Sequence, residues 1–371
     1  MEEAQIFKSE QHQSKEKHRI IYLDILRVLS IISVITIHTV AGKIQDINSL
    51  GEPSWWWADV LNSITRWAVP VFFMISGILT LDNPHLDNIP SFLKSRLLKI
   101  GVPFLVWSVL YSIVKETYIL GKSIYFPDIL RTIGTNILLD QSYYHLWFVY
   151  DIFIIYLISP FLRKIVINST QKELKYWLGL WFTATILYTS IQQFMMFLGW
   201  DGYFYIHILN IPFVFGLTGY YILGYYLHHY DLSKKWRTVI YIGALFSVLL
   251  TIWGTYAISV SKTALDESLY SHFAITTVTI STAVLLFAKN IKWEKFLTKS
   301  FQKLLIALSN ATFGIYLMHM MLIIDFSGRL SVLIPKSYVL YTISIIFISF
   351  ALSFIFVKLI RIIPYIGKYL V

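Results

Sequence analysis

The chain has 371 residues, of which 56% are apolar, 17% aromatic and only 14% charged, and its mean hydropathy is +0.62. Soluble domains contain about 25% charged residues, so this composition excludes an ordinary soluble fold and indicates an integral membrane protein. The sequence has no cysteine, which excludes disulfides and thiolate chemistry.

The N-terminal segment, residues 1–19, differs from everything that follows it. It is polar and mixed in charge, and it has neither an apolar core nor a small-residue cleavage site. We therefore expect a poorly ordered cytoplasmic tail rather than a signal peptide, followed by one transmembrane domain over residues 20–371.

A membrane-spanning helix needs about 20 mainly apolar residues, and ten segments meet this requirement. They predict an all-α integral membrane protein, a single bundle of about ten transmembrane helices. The segments lie near residues 20–42, 59–81, 100–119, 146–162, 176–198, 204–227, 238–257, 271–288, 304–325 and 338–360.

The basic residues predict how the bundle is oriented. If the N-terminus is inside, the inner segments hold 22 of the 31 Lys and Arg residues, the outer segments hold 6, and 3 lie within spans. Positive charges concentrate on the cytoplasmic side of membrane proteins, so both termini are expected in the cytoplasm. The same distribution accounts for the net charge of +10, so this charge does not require a nucleic-acid partner.

The first predicted span, "YLDILRVLSIISVITIH", contains three ionisable residues in an apolar segment. Asp24 lies one turn before Arg27, and His38 lies three turns after Arg27, about 16 Å further along the same face. Charged groups in a membrane are costly, so this face must point into the bundle. We expect Asp24 and Arg27 to form an ion pair. His38 is either a hydrogen-bonded interior histidine or, as is usual within a span, a functional residue.

The spacing Arg27-x10-His38 resembles the signature of the acyltransferase family 3 membrane enzymes, and four further segments resemble landmarks of that family in the same order. These segments are "RWAVPVFFMISGIL", "FLKSRLLKIGVPF", "HLWFVYDIFIIYLISP" and "SNATFGIYLMH". The resemblance covers nearly the whole chain. It implies transfer of an acyl group, commonly acetyl, from acyl-CoA to a hydroxyl of a surface glycan, a lipid-linked sugar or another exported molecule.

The resemblance places catalysis on His38, with Asp24 and Arg27 in the same site. Acyl transfer to a hydroxyl needs a base for the hydroxyl proton, and a neutral imidazole suits that role. The imidazole can instead form a covalent acyl-imidazole, and the sequence does not choose between these roles.

Arg96 and Lys99 precede the third predicted span on the cytoplasmic side. They are candidates to bind the phosphates of acyl-CoA, although anchoring the orientation of the chain explains them equally well. Many family members have Arg-x-x-Arg here, and the lysine loses the bidentate fork of an arginine.

The second predicted span contains Arg66, which we also assign to acyl-CoA binding together with Ser76. Pro70 and Gly77 loosen this helix, and Ser76 can bond to the freed backbone. A bend there would admit an acyl chain, but the same small residues are also typical of close helix packing.

Other histidines lie near the outer ends of spans. His145 and His319 fall inside family-like segments and, with Tyr316, are candidate pocket residues. His207 and His272 are expected to be interfacial. No close ligand spacing among these outer histidines predicts a metal site, and no bound cofactor is expected beyond acyl-CoA as co-substrate.

The sequence thus predicts a multi-pass enzyme of the cell membrane whose partners are the lipid bilayer and a glycan acceptor. The main alternative is a transporter or flippase for a lipid-linked glycan, although the internal repeats typical of transporters are not evident. A sensor that has lost catalysis is the third possibility, which the intact Arg27-x10-His38 spacing disfavours. The acceptor, the acyl length and the oligomeric state stay open.

Overall fold

The computed structural model of the chain describes residues 19–121, 128–198, 216–334, 336–364 and 367–371. The regular structure in these ranges is helical, which confirms the all-α class. The α-helices of the described ranges are α1 Ile21–Gln45, α2 Pro53–Thr65, α3 Ala68–Leu81, α4 Ile89–Arg96, α5 Val102–Val114, α6 Asp128–Leu138, α7 Trp147–Asn168, α8 Gln171–Trp181, α9 Tyr188–Phe197, α10 Thr218–His229, α11 Lys234–Lys262, α12 Ile275–Asn290, α13 Lys299–Leu333 and α14 Tyr338–Ile362.

Eight described segments are long and apolar enough to cross a membrane, and each overlaps a predicted span. They are Ile21–Gln45, Pro53–Leu81, Ile89–Ile119, Tyr144–Asn168, Lys234–Lys262, Ser268–Asn290, Lys299–Leu333 and Tyr338–Ile362. The protein is therefore a multi-pass membrane protein.

The two remaining predicted spans do not qualify within the described residues. The fifth, 176–198, falls on α8 and α9, which a π-helical stretch at Phe182–Leu187 joins. The sixth, 204–227, lies outside the described residues up to position 215 and then enters α10. The count of ten and the cytoplasmic location of both termini stay predictions, and residues 1–18 of the tail also lie outside the described part.

Helix α1 occupies the centre of the bundle. It packs against α2, α3, α12, α13 and α14. Ile31, Ile35 and Val40 on this helix are completely buried. A helix surrounded in this way has few positions that face lipid, so its ionisable residues face protein, as their shared face predicts.

Two glycines allow α3 and α10 to approach backbone to backbone. A Cβ atom on Gly77 would lie 1.8 Å from the carbonyl oxygen of Tyr221, and one on Gly224 would lie 2.3 Å from that of Met74. Neither distance is possible for a real side chain, so both positions require glycine. Gly77 therefore serves close helix packing, one of the two roles expected for it.

Pro70 marks a break rather than a bend in the middle of a helix. Helix α2 ends at Thr65 and α3 begins at Ala68, so Pro70 is the third residue of α3. In the first turn of a helix the missing N–H of proline costs no hydrogen bond. The break leaves Arg66 between the two helices, directly after the last residue of α2.

The orientation can be tested with single cysteines, because the natural chain contains none. Thr263 and Ser233 are both exposed at opposite ends of α11. We expect a membrane-impermeant maleimide to label Thr263→Cys in intact cells and Ser233→Cys only after lysis, because the positive-inside rule places Ser233 in the cytoplasm. Labelling of Ser233→Cys in intact cells would show that the orientation is inverted.

Candidate active site

A cavity of about 610 Å³ lies between α1, α3, α4, α7, α13 and α14. Its lining includes four basic residues, Arg27, Arg96, Lys99 and Arg361. No aspartate or glutamate lines it among the described residues. We call it the cationic cavity. The predicted orientation places it toward the cytoplasmic side, and its charge suits a polyanionic ligand.

Aromatic rings hold Arg96 in place. Its guanidinium carbon lies 5.0 Å from the centre of the Phe92 ring and 4.5 Å from the centre of the Tyr156 ring. Its Nε atom has no hydrogen-bond partner among the described residues. Stacking fixes the plane of the guanidinium without neutralising its charge, so its N–H groups stay free for an anionic ligand.

The other donors approach the cationic cavity from different helices. Arg361, near the end of α14, donates a hydrogen bond of 3.0 Å to the carbonyl oxygen of Asn310. Ser76 lines the cavity from α3. The structure therefore brings together Arg96, Lys99 and Ser76, which were predicted to bind acyl-CoA. It adds Arg27, which was predicted to lie in the catalytic site with His38.

The predicted ion pair between Asp24 and Arg27 is wrong. The carboxylate of Asp24 binds Arg19 instead, through bonds of 2.6 Å from Nε and 2.8 Å from a terminal nitrogen. Asp24 also accepts a bond of 2.6 Å from the hydroxyl of Ser309. Arg19 precedes α1 and can fold back over its first turn, while Arg27 lines the cationic cavity. Asp24 thus anchors α1 to α13, and its salt bridge is with Arg19 and not with Arg27.

Three histidines from distant parts of the sequence form a compact cluster, which we call the histidine cluster. The ring centres of His38 and His319 are 5.4 Å apart, those of His38 and His145 are 6.2 Å apart, and those of His145 and His319 are 5.2 Å apart. His145 and His319 are buried. The sequence predicted these three residues at similar depth, and the structure shows that their rings are neighbours.

Tyr316 connects the cationic cavity with the histidine cluster. It lines the cavity, and its ring centre lies 5.5 Å from that of His145 and 5.7 Å from that of His319. Its hydroxyl donates a hydrogen bond to the carbonyl oxygen of His145. Phe148, which also lines the cavity, packs 5.3 Å from the Tyr316 ring. Only aromatic side chains therefore separate the cavity from the histidines at this point of the described structure.

The ring nitrogens of His319 and His145 differ in their hydrogen bonds. Nδ1 of His319 lies 2.6 Å from the carbonyl oxygen of Tyr316. Nε2 of His319 and both ring nitrogens of His145 are buried and have no partner among the described residues. Buried polar atoms normally find partners, so these nitrogens mark a place where a polar ligand or water can bind.

Arg66 lies away from the cationic cavity, contrary to its predicted role in acyl-CoA binding. Its guanidinium carbon is 4.3 Å from the centre of the Tyr270 ring, and the hydroxyl of Tyr270 donates to the buried carboxylate of Asp59. Arg66 is also close enough to His38 to interact with it electrostatically. Arg66 therefore lies beside Tyr270 and does not line the cationic cavity with Arg96.

Two residues of these sites were not predicted. Arg361 was counted only as an inside charge, because nothing in the sequence shows that the end of α14 lines the same cavity as Arg96 and Lys99. The proximity of Asp59 to Arg66 could have been predicted from the sequence. Asp59 precedes Arg66 by two helical turns and therefore shares a face with it.

One group in the described residues could hold a metal ion, which the sequence did not predict. Asp82, His228 and His229 each place a ligand atom within 4.8 Å of the others, and no ion is present. His229 Nε2 lies 2.9 Å from a carboxylate oxygen of Asp82, and Tyr22 hydrogen-bonds to His228. In this structure the group is an ion pair at the ends of α3 and α10, outside the cationic cavity.

Comparison with known proteins gives one match. No curated protein and no solved structure matches the chain. The model of an acyltransferase domain, that of acyltransferase family 3, matches residues 20–358, which is nearly the whole chain. This confirms the resemblance of the five sequence segments and supports a membrane acyltransferase over a transporter. The chain belongs to acyltransferase family 3.

Proposed function

We propose that this protein transfers an acyl group, with acetyl as the expected group, from cytosolic acyl-CoA to a hydroxyl of a cell-surface or lipid-linked glycan at the cell membrane. His38 serves as the general base or as the acyl carrier. The observation that supports the proposal most is the continuity of the cationic cavity, Tyr316 and the histidine cluster.

The chemistry of CoA matches the cationic cavity. Its pyrophosphate and 3′-phosphate are strong anions, and charge-assisted hydrogen bonds to Arg and Lys are the strongest that proteins offer them. Arg96 and Arg361 present guanidinium groups, while Lys99 and Arg27 add charge. The exposed Lys99 acts as a point charge, so the three guanidinium groups supply the directional contacts.

The reactive end of the donor lies far from its phosphates, because the pantetheine arm separates them. Along α1 the cationic cavity and the histidine cluster are separated by the spacing of Arg27 and His38, about 16 Å. A donor whose phosphates bind near Arg27 therefore directs its thioester past Tyr316 toward His38.

Arg66 receives a different role from the one predicted. Attack on a thioester builds negative charge on the carbonyl oxygen, and a fixed buried cation stabilises such charge more than water does. Arg66, which interacts electrostatically with His38 and does not line the cationic cavity, is suited to this role. The acceptor hydroxyl approaches from the same side, where the predicted orientation places the cell exterior.

Neutralising the cationic cavity should weaken donor binding. In Arg96→Gln with Lys99→Gln, we expect the KM for acetyl-CoA to rise at least about tenfold, since each charged hydrogen bond is worth about 1.5–3 kcal/mol. The kcat should change little if these contacts are equally strong in the ground and transition states. Steady-state kinetics of the purified protein in detergent measure both constants.

The matched control is Lys234→Gln with Lys235→Gln, which removes two exposed charges at the start of α11 that do not line the cavity. It should leave the KM unchanged. Equal KM values for both double variants would show that Arg96 and Lys99 do not bind the donor and only help to orient the chain in the membrane.

Removing the imidazole of His38 should abolish acyl transfer. Loss of a general base costs about 10²–10⁴-fold in rate, and loss of an acyl carrier stops the reaction. We expect His38→Ala and His38→Gln to insert and fold normally, because neither substitution adds a charge to the span. Transfer is measured at matched protein levels with His85→Gln, an exposed histidine, as the control. Substantial transfer by His38→Gln would leave His38 with a structural role.

A further inference from the structure

We propose that the two steps of acyl transfer are divided between two histidines, with His38 accepting the acyl group and His319 acting as the base for the acceptor hydroxyl. This inference rests on the proposed function and adds a second catalytic residue to it.

The hydrogen bond of His319 determines which of its nitrogens can accept a proton. A backbone carbonyl oxygen only accepts hydrogen bonds, so the contact of 2.6 Å between Nδ1 and the carbonyl oxygen of Tyr316 requires a proton on Nδ1. In the neutral ring the lone pair then lies on Nε2. That atom is buried and without a partner among the described residues, so its lone pair is available to a substrate.

The same bond also fixes the orientation of the ring. Nδ1 faces the backbone of α13, the helix to which His319 belongs, so the opposite edge with Nε2 faces away from it. His38 and His145 are the neighbouring imidazoles, at 5.4 Å and 5.2 Å between ring centres. A base held in one tautomer by a third group is the arrangement found in catalytic triads.

His38 lacks such a partner. No hydrogen bond holds either of its ring nitrogens among the described residues, and its ring is only partly buried, next to that of Tyr144 at 5.2 Å. An imidazole with both nitrogens free can attack through one and release the proton of the other. This freedom suits a nucleophile, whereas the fixed tautomer of His319 suits a base.

The separation of the two rings fits a shared substrate atom. A hydroxyl oxygen makes hydrogen bonds of about 2.8 Å, so an oxygen bonded to Nε2 of His319 lies close to the neighbouring ring of His38. The rings of His38 and His319 are not bonded to each other and their centres are 5.4 Å apart. An acceptor oxygen between them can attack an acyl group on His38 while its proton moves to His319.

The chemistry balances in two steps. In the first, a ring nitrogen of His38 bonds to the thioester carbonyl carbon, the C–S bond breaks, and the sulfur leaves with the electron pair and takes the proton from the other nitrogen of His38. In the second, the acceptor oxygen bonds to the same carbon and its proton goes to Nε2 of His319. The C–N bond then breaks, and His38 recovers a proton from His319.

The test separates the two steps with acetyl-CoA as the donor and water as the smallest acceptor. Free CoA is measured as thiol, which is unambiguous because the chain has no cysteine. His319→Asn is the informative variant, since its amide nitrogen can still donate to the Tyr316 carbonyl but nothing replaces the basic Nε2. His85→Asn, which replaces an exposed histidine outside both sites, is the control.

For His319→Asn we expect a burst of about one CoA per protein, followed by turnover at least about 10²-fold slower than in the natural protein. Hydroxylamine-sensitive acetyl-protein should accumulate. His38→Gln should give neither burst nor acetyl-protein, and His85→Asn should keep both steps.

Two outcomes would overturn the inference alone. One is normal turnover by His319→Asn. The other is loss of the burst and of turnover to the same extent in a folded His319→Asn protein, which would give His319 a structural role. Failure of the natural protein to release any CoA from acetyl-CoA would instead overturn the proposed function, and the inference with it.

Discussion

The cost of placing ionisable groups inside a membrane is the constraint on which the rest of this structure depends. A charge near the bilayer centre costs at least about 2.5–3.5 kcal/mol, so Asp24, Arg27 and His38 are tolerated only if no lipid reaches them. The bundle meets this condition by packing five helices around α1. The helix that contains Asp24, Arg27 and His38 is therefore the central one, and the candidate active site lies around it.

The ionisable groups are sorted by position along the bundle. Cations without a carboxylate partner gather in the cationic cavity, where a polyanionic ligand can compensate them, while the histidine cluster lies deeper and consists of rings that can stay neutral. Tyr316 and Phe148 lie between the two regions. Under the proposed function, this partition holds the phosphates of the donor apart from the carbon that reacts.

The second span shows how local geometry assigns residues to different tasks. Its break before Pro70 separates Arg66 from Ser76, so that one faces Tyr270 and the other the cationic cavity. Its glycine contact with α10 then holds α3 in a single position. A continuous helix would present both residues along one rigid axis, and the cation near His38 would be lost from the outer side.

The sequence by itself determined the membrane class, the helical fold, most of the spans and the family, because apolar length, charge asymmetry and motif spacing are local properties. It also identified Arg27, His38, Arg96, His145 and His319 as residues of interest. Only the tertiary structure decided the partners: Arg19 rather than Arg27 for Asp24, Tyr270 for Arg66, and Arg361 for the cationic cavity. Contacts between helices far apart in sequence depend on how the helices rotate and pack, and hydropathy contains no information about either.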